Sequence, residues 1–360
     1  MPMIERFKSL FSRKAESAAP EPIGETVLFN AYCTRVEIAQ PAFAHKLHAR
    51  RDLSDPALLE HLNGFCSHIF GLGDGEMTRD KYHVILHLQR VQQVVGISVG
   101  VADVAAFYEW AGLANAILIS PEGNVVDPQG RVLVDAVDGS ADPAAQVPYP
   151  LQALARKAAS EAALAARGIV VDDTLPALVC EDELTLRDRD AVVDRARALL
   201  LVALRAESVA SGEPIPVDTL LNKMPLGDNA LSPLERAFLD LPSPSEHECA
   251  QFTWRYESLY LLEWALGLVN ELPYPSEACD TASTVATLIE MRGPALRPAT
   301  DILDALDLHY RLHWFIRQER LRKSVETKGV DADVVMERHR TLNWLVRFQH
   351  APWDEVDTPT

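Results

Sequence analysis

This sequence is short of cysteine, of basic charge and of any catalytic signature, and each shortage argues against a class of protein. Its five cysteines, Cys33, Cys66, Cys180, Cys249 and Cys279, are far apart, odd in number and never spaced C-x-x-C. That disfavours a disulfide framework and a thiolate zinc site, and leaves free thiols in a reducing compartment as the simple expectation. Lys and Arg number 34 against 52 Asp and Glu, a formal net charge of −18. A nucleic-acid footprint needs a basic face, so no nucleic-acid partner is expected. The glycines of GLGDGEM end a helical pattern and lack the Gly-Lys-Ser/Thr ending of a phosphate loop. No nucleophile elbow, dinucleotide fingerprint or kinase signature is present either. Triads are defined by geometry rather than by motif, so an enzyme is disfavoured without being excluded.

The longest apolar stretch is Gln251–Asn270, QFTWRYESLYLLEWALGLVN. About 20 residues would suffice to span a bilayer, but Arg255, Glu257 and Glu263 lie inside it, and intramembrane charges are costly. A helix apolar nearly all round is one surrounded by other helices. The chain start, MPMIERFKSLFSRK, lacks the continuous apolar run of a secretory signal. It places Met3, Ile4, Phe7, Leu10 and Phe11 on one helical face, with Arg6, Lys8, Arg13 and Lys14 elsewhere. Residues 3–14 are therefore a weak candidate for peripheral membrane contact or partner docking, with a frayed N-terminal extension as the simpler expectation. No transmembrane segment is expected, and the protein is read as cytoplasmic, with no cofactor.

A chain of 360 residues is expected to form two domains. After the N-terminal segment and linker, 1–24, residues 25–137 alternate strand and helix patterns. Thr26–Glu37 reads as a strand, and Ser54-Asp55-Pro56 caps a helix running to about Phe70. Tyr82–Val99 reads as one long or two short strands, YHVILHLQ and QVVGISV, putting His83 and His87 about 13 Å apart on a strand face. Val101–Leu113 is helical, and strands follow at Ala116–Ser120 and Arg131–Asp135. The order β-α-β-α-β-β predicts a small α+β domain, a mixed sheet with helices on one face. Residues 138–150, rich in Pro, Gly and Asp, form a linker. From 151 to 357 the pattern predicts an all-α helical bundle, with helices near 151–167, 189–210, 232–241, 246–270, 281–291, 300–323 and 332–350. Ser232-Pro233-Leu234-Glu235 forms a capping box, and Ala177–Cys180 is weakly strand-like.

Six stretches of this half carry a family resemblance. They are RKAASEAALAARGI (156–169), RALLLVALRAE (197–207), LSPLERAFL (231–239), QFTWRYESLYLLEWALG (251–267), ILDALDLHYRLHW (302–314) and ERHRTLNWLV (337–346), closed by WDEVDTPT (353–360). In order and spacing they resemble the bacterial domain-of-unknown-function family 4272. The resemblance implies a helical domain, brings no catalytic residues with it, and says nothing of residues 25–135.

At 100° per residue, four core helices each turn one ionisable group toward apolar neighbours: Glu207, Glu257, His313 and His339. His309 shares the face of His313, whereas Arg311 falls on a polar stripe with Asp307, as a surface pair would. Three roles are open to the four. They form a buried hydrogen-bond and ion-pair network, with Arg338 or Arg255 partnering a glutamate. Alternatively they form a solvent-reached acid/base site, or a metal site drawn from Glu257, His309, His313 and His339. The network is the simplest, because no helix carries the Glu-x-x-His spacing of di-metal bundles. The leading expectation is a non-enzymatic module that binds a protein partner, as a regulator or a toxin-neutralising immunity factor. The alternative is a hydrolase or metal-dependent enzyme built on the Glu/His cluster.

Overall fold

The computed structural model describes residues 21–22, 24–224, 227, 230–323 and 327–360; the amphipathic stretch 3–14 lies outside the described residues. The chain divides into two compact units. The first runs to Leu154 and takes in Asp182–Leu184; the second holds Ala155–Glu181 and Thr185–Thr360.

The first unit is built on strands β1 (Thr26–Cys33), β2 (His45–Asp52), β3 (Gln93–Gly100), β4 (Ala116–Ile119), β5 (Val125–Val126) and β6 (Val132–Val134), with helices α1 (Pro56–Gly71), α2 (Arg79–Leu88) and α3 (Val104–Leu113). The strand order is β2-β3-β1-β4-β5-β6. Along β1 the side chains alternate between two cores. Tyr32 joins Leu58, Phe65 and Ile69 of α1 and Val84 and Leu88 of α2. Phe29, Ala31 and Cys33 join Phe107, Trp110 and Ala111 of α3. With both faces covered, β3 reads as an apolar run rather than an alternating one.

The α+β class followed by a helical domain is the one the sequence predicts. In detail, every strand pairing is antiparallel rather than mixed, and helices lie on both faces rather than one. Two misreadings account for this. The edge strand β2, HKLHARRD, is too polar to register as a strand, because only His45 and Ala49 are buried. YHVILHLQ is not a strand but most of α2, whose N-cap Thr78 accepts from the Lys81 N–H. Its apolar residues fit a period of two almost as well as one of 3.6. His83 and His87 therefore stand one helical turn apart. His83 Nδ1 meets the Tyr149 hydroxyl at 3.0 Å and His87 Nε2 the Tyr32 carbonyl at 3.0 Å.

The second unit contains, from Ala155 onward, the body of α4 (Leu151–Ala165), then α5 (Arg189–Ala210), α6 (Val217–Lys223), α7 (Pro233–Asp240), α8 (Glu246–Thr253), α9 (Arg255–Ala265), α10 (Thr281–Ile289), α11 (Ala299–Leu321) and α12 (Ala332–Leu345). Capping boxes at Ser232 and Ser245 open α7 and α8. The long helix expected over 246–270 is two helices hinged at Trp254, and it stops at Ala265. Gly267 turns left-handed at φ +70°, and the Arg297 guanidinium donates to the carbonyls of Trp264, Val269 and Asn270, each at 2.7 Å. A fixed cation thus closes a helix end that would otherwise carry orphan acceptors. α6 is not apparent in the sequence, and Ala177–Cys180 pairs with no strand among the described residues. No helix of the described residues is long and apolar enough to cross a membrane.

Candidate functional site

The polar centre of the helical unit is built where α9 meets α12. Glu257 and Arg338 are each 1% exposed. Arg338 donates Nε to Glu257 Oε1 at 2.7 Å, with Nη2 at 2.6 Å from the same oxygen. The other oxygen, Oε2, accepts the Cys279 N–H at 2.8 Å, and Arg338 Nη1 donates to the Pro273 carbonyl at 2.6 Å. Two residues away the polarity is reversed. Arg255 of α9 donates Nη1 to both oxygens of Glu337 on α12, at 2.9 and 2.7 Å, and Ser258 Oγ adds a bond of 2.8 Å. The helices are clasped crosswise, acid to base and base to acid, so a slip of one past the other would bring like charges together.

Two further buried pairs repeat the pattern. Arg195 of α5 donates to Glu235 of α7, whose carboxylate also caps the Ser232 N–H. Asp307 and Arg311 form a two-pronged pair at 2.8 and 2.9 Å. Expected at the surface, that pair is at most 1% exposed, because Glu161 of α4 and the Pro176 carbonyl lie over the guanidinium, each at 3.2 Å.

The histidines settle elsewhere. His313 Nδ1 and His339 Nδ1 are 3.0 Å apart with rings edge to face. Asn343 Nδ2 lies 3.4 Å from His339 Nε2 and also donates to the Asp357 carbonyl. That marks His339 Nε2 as an acceptor, so its Nδ1–H donates to His313. Burial pushes His313 down to about 4, helped by Arg317 and Arg320, and His339 well below the usual range. Both are neutral at pH 7.

Glu207 departs from its expected place. It is exposed, and its carboxylate accepts the Tyr256 hydroxyl at 2.6 Å. The structure therefore splits the four candidates three ways: Glu207 with Tyr256, Glu257 with Arg338, and His313 with His339. Among the described residues no three His, Cys, Asp or Glu side chains gather as a metal site, and Glu257, His309, His313 and His339 are not brought into one.

A cleft of about 730 Å³ opens beside this centre, lined among others by Trp254, Tyr256, Glu257, Cys249 and Cys279. Its thiols are poor nucleophiles. Burial pushes Cys279 up to about 12, and the neighbouring Glu257 raises it further. Cys249 is raised as well, first by burial. Tyr256, Cys279 and Glu337 are absent from the sequence candidates. Glu337 was findable, standing beside Arg338 on the helix that faces α9. Cys279 lies in a loop, where periodicity gives no signal.

One acid stands apart. Glu263 is fully buried, and neither carboxylate oxygen has a hydrogen-bond partner among the described residues. Burial alone pushes it up to about 8, so it carries its proton at pH 7.

Neither the curated proteins nor the solved structures gave a match. The family model described as Domain of unknown function (DUF4272) matches residues 156–356, which covers every helix-to-helix ion pair described above. That match spans more than half of the chain, and the protein belongs to this family.

Proposed function

We propose that this protein is a non-enzymatic recognition module, cytoplasmic and bacterial, that binds a protein partner at the cleft between α8, α9 and the Ala278–Thr281 segment. Neutralisation of a toxin is one role such a module would serve. The observation that carries this reading is the occupancy of the polar centre. Glu257 spends both oxygens on Arg338 and a backbone N–H, leaving neither for a substrate or metal. Thiols held protonated and imidazoles held neutral by burial support it too, since catalysis favours groups tuned near the working pH. The acidic charge of −18 supports a protein partner over nucleic acid.

The test is affinity capture with the tagged full-length protein from its own cells, beside an Ala250→Arg variant. Ala250 is exposed on α8 and lines the cleft. A stoichiometric protein captured by the wild type and lost with Ala250→Arg, at unchanged Tm, is the expected result. No partner, or equal capture by both, overturns the reading. A hydrolase built on this cluster would instead require Glu257 to leave Arg338, and no contact among the described residues favours that.

A further inference from the structure

Residues 351–357, which follow α12, lie on the helical unit in the manner of a bound peptide. Their anchor is Trp353, which is 5% exposed. Two guanidinium groups lie over the indole, Arg340 at 4.4 Å and Arg195 at 4.9 Å from the ring centroid, and the Trp344 ring meets it edge to face at 5.5 Å. Side chains of the helices then hold the segment by its backbone. Arg340 Nη2 donates to the Trp353 carbonyl at 2.6 Å, Arg187 Nη2 to the Ala351 carbonyl at 3.1 Å and Asn343 Nδ2 to the Asp357 carbonyl at 2.8 Å. Asp354 Oδ2 accepts the Leu234 N–H in the first turn of α7 at 2.9 Å, where an anion suits the helix end.

Among the described residues, the backbone-to-backbone bonds of this segment are local, from the Ala351 N–H to Phe348 and from the Glu355 N–H to Pro352. Its grip on the bundle is an aromatic anchor with side-chain donors around it, the means by which a groove reads a peptide. The charges are complementary. The segment carries Asp354, Glu355 and Asp357, the groove supplies Arg187, Arg195 and Arg340, and Asp354 acts electrostatically on both Arg195 and Arg340. The connection back to α12 is strained. Arg347, Gln349 and His350 all stand in the left-handed region, at φ +56°, +51° and +55°, which side-chain-bearing residues seldom adopt. Strain of this kind gathers at switch points, and a hinge that opens to an extended chain relieves it.

We propose that this groove takes residues 351–357 from a second copy of the chain, the two copies exchanging segments through an opened hinge at 347–350. The exchange remakes every contact of the closed form, because the same indole meets the same arginines, and it discharges the strain of the hinge. The groove thus names its own ligand chemistry, an indole followed by carboxylates. The exchange is independent of any protein captured at the α8 cleft, so either proposal can fail alone.

The test is sedimentation velocity on the full-length protein from micromolar to millimolar concentration, with Tm read beside it. A monomer–dimer equilibrium is expected for the wild type. Gln349→Gly with His350→Gly lets the closed hinge rest without strain. That pair weakens the dimer at least tenfold while its Tm stays level or rises. Trp353→Ala with Arg340→Ala strips the anchor and its cradle, so the segment docks on neither copy and the dimer is lost. A wild type that stays monomeric at millimolar concentration overturns the proposal. So does a dimer that the glycine pair leaves unchanged, which would mark contact through a rigid face, or a glycine pair of lower Tm, since no strain was then relieved. A dimer that survives the alanine pair overturns it as well; should the alanine pair fail to fold, the glycine pair decides alone.

Discussion

Glu263 and the buried histidines load the molecule with opposite pH dependences. The folded pKa of Glu263 is raised from 4.5 to about 8, so the folded state holds an extra proton between those values and stability falls as pH rises through that window. Glu263→Gln removes the ionisable group. It should leave stability at pH 5 nearly unchanged and raise it at pH 9 by on the order of a few kcal/mol, since each pH unit of that window costs about 1.4 kcal/mol; urea unfolding at both pH values checks this. For His309, lowered from 6.5 to about 3, the sign is reversed. The unfolded chain takes up the proton first, so its contribution is complete above pH 6.5 and is lost as pH falls toward 3. His309→Phe should therefore reduce the acid loss by on the order of 3 kcal/mol at pH 4, seen as a flatter stability profile between pH 6.5 and 4. The helical wheel found the face on which Glu257, His313 and His339 sit. It put Glu207 inside wrongly, because a wheel gives the direction of a side chain but not how far along the axis the neighbours extend.

At the scale of elements, the most legible helices are those with a recognisable cap, such as α1 at Asp55, α5 at Asp188 and α7 at Ser232. Observed α5, Arg189–Ala210, has the bounds that its pattern predicts. What failed were short or ambiguous elements: β2, whose exposed face is charged, and α2, whose apolar residues suit either period. The hinge at Trp254 and the stop at Ala265 were also invisible, since the apolar pattern runs on past both. The stop is set by Arg297, which is about thirty residues away and unrelated to the pattern. Arg297→Met strips three carbonyls of a charged donor and should cost about 1.5–3 kcal/mol, the usual range for bonds to charged groups, measured by urea unfolding. Ser232→Ala removes the hydroxyl that caps α7 through the Glu235 N–H, with an expected loss of about 1 kcal/mol.

At the scale of the whole molecule, ion pairs among the described residues of the helical unit tie α9 to α12, α5 to α7, and α11 to its own preceding turn. The pairing could not be read from one sequence, because which face is buried is a local property and which residue lies opposite is not. The clefts are where the sequence gives least warning, because loop residues such as Ala278 and Cys279 complete them. Five of the six tryptophans lie in the helical unit, so tryptophan fluorescence follows its unfolding. The most direct measurement is a urea double-mutant cycle on Glu257→Gln and Arg338→Met, followed by that fluorescence. An architectural pair predicts that each single change costs about 3–5 kcal/mol, by leaving a buried charge or polar group unpaired, and that the double variant recovers part of the loss. A Glu257→Gln protein as stable as the wild type, or more so, would contradict the account, because relief of that kind is the mark of a residue held under strain for activity.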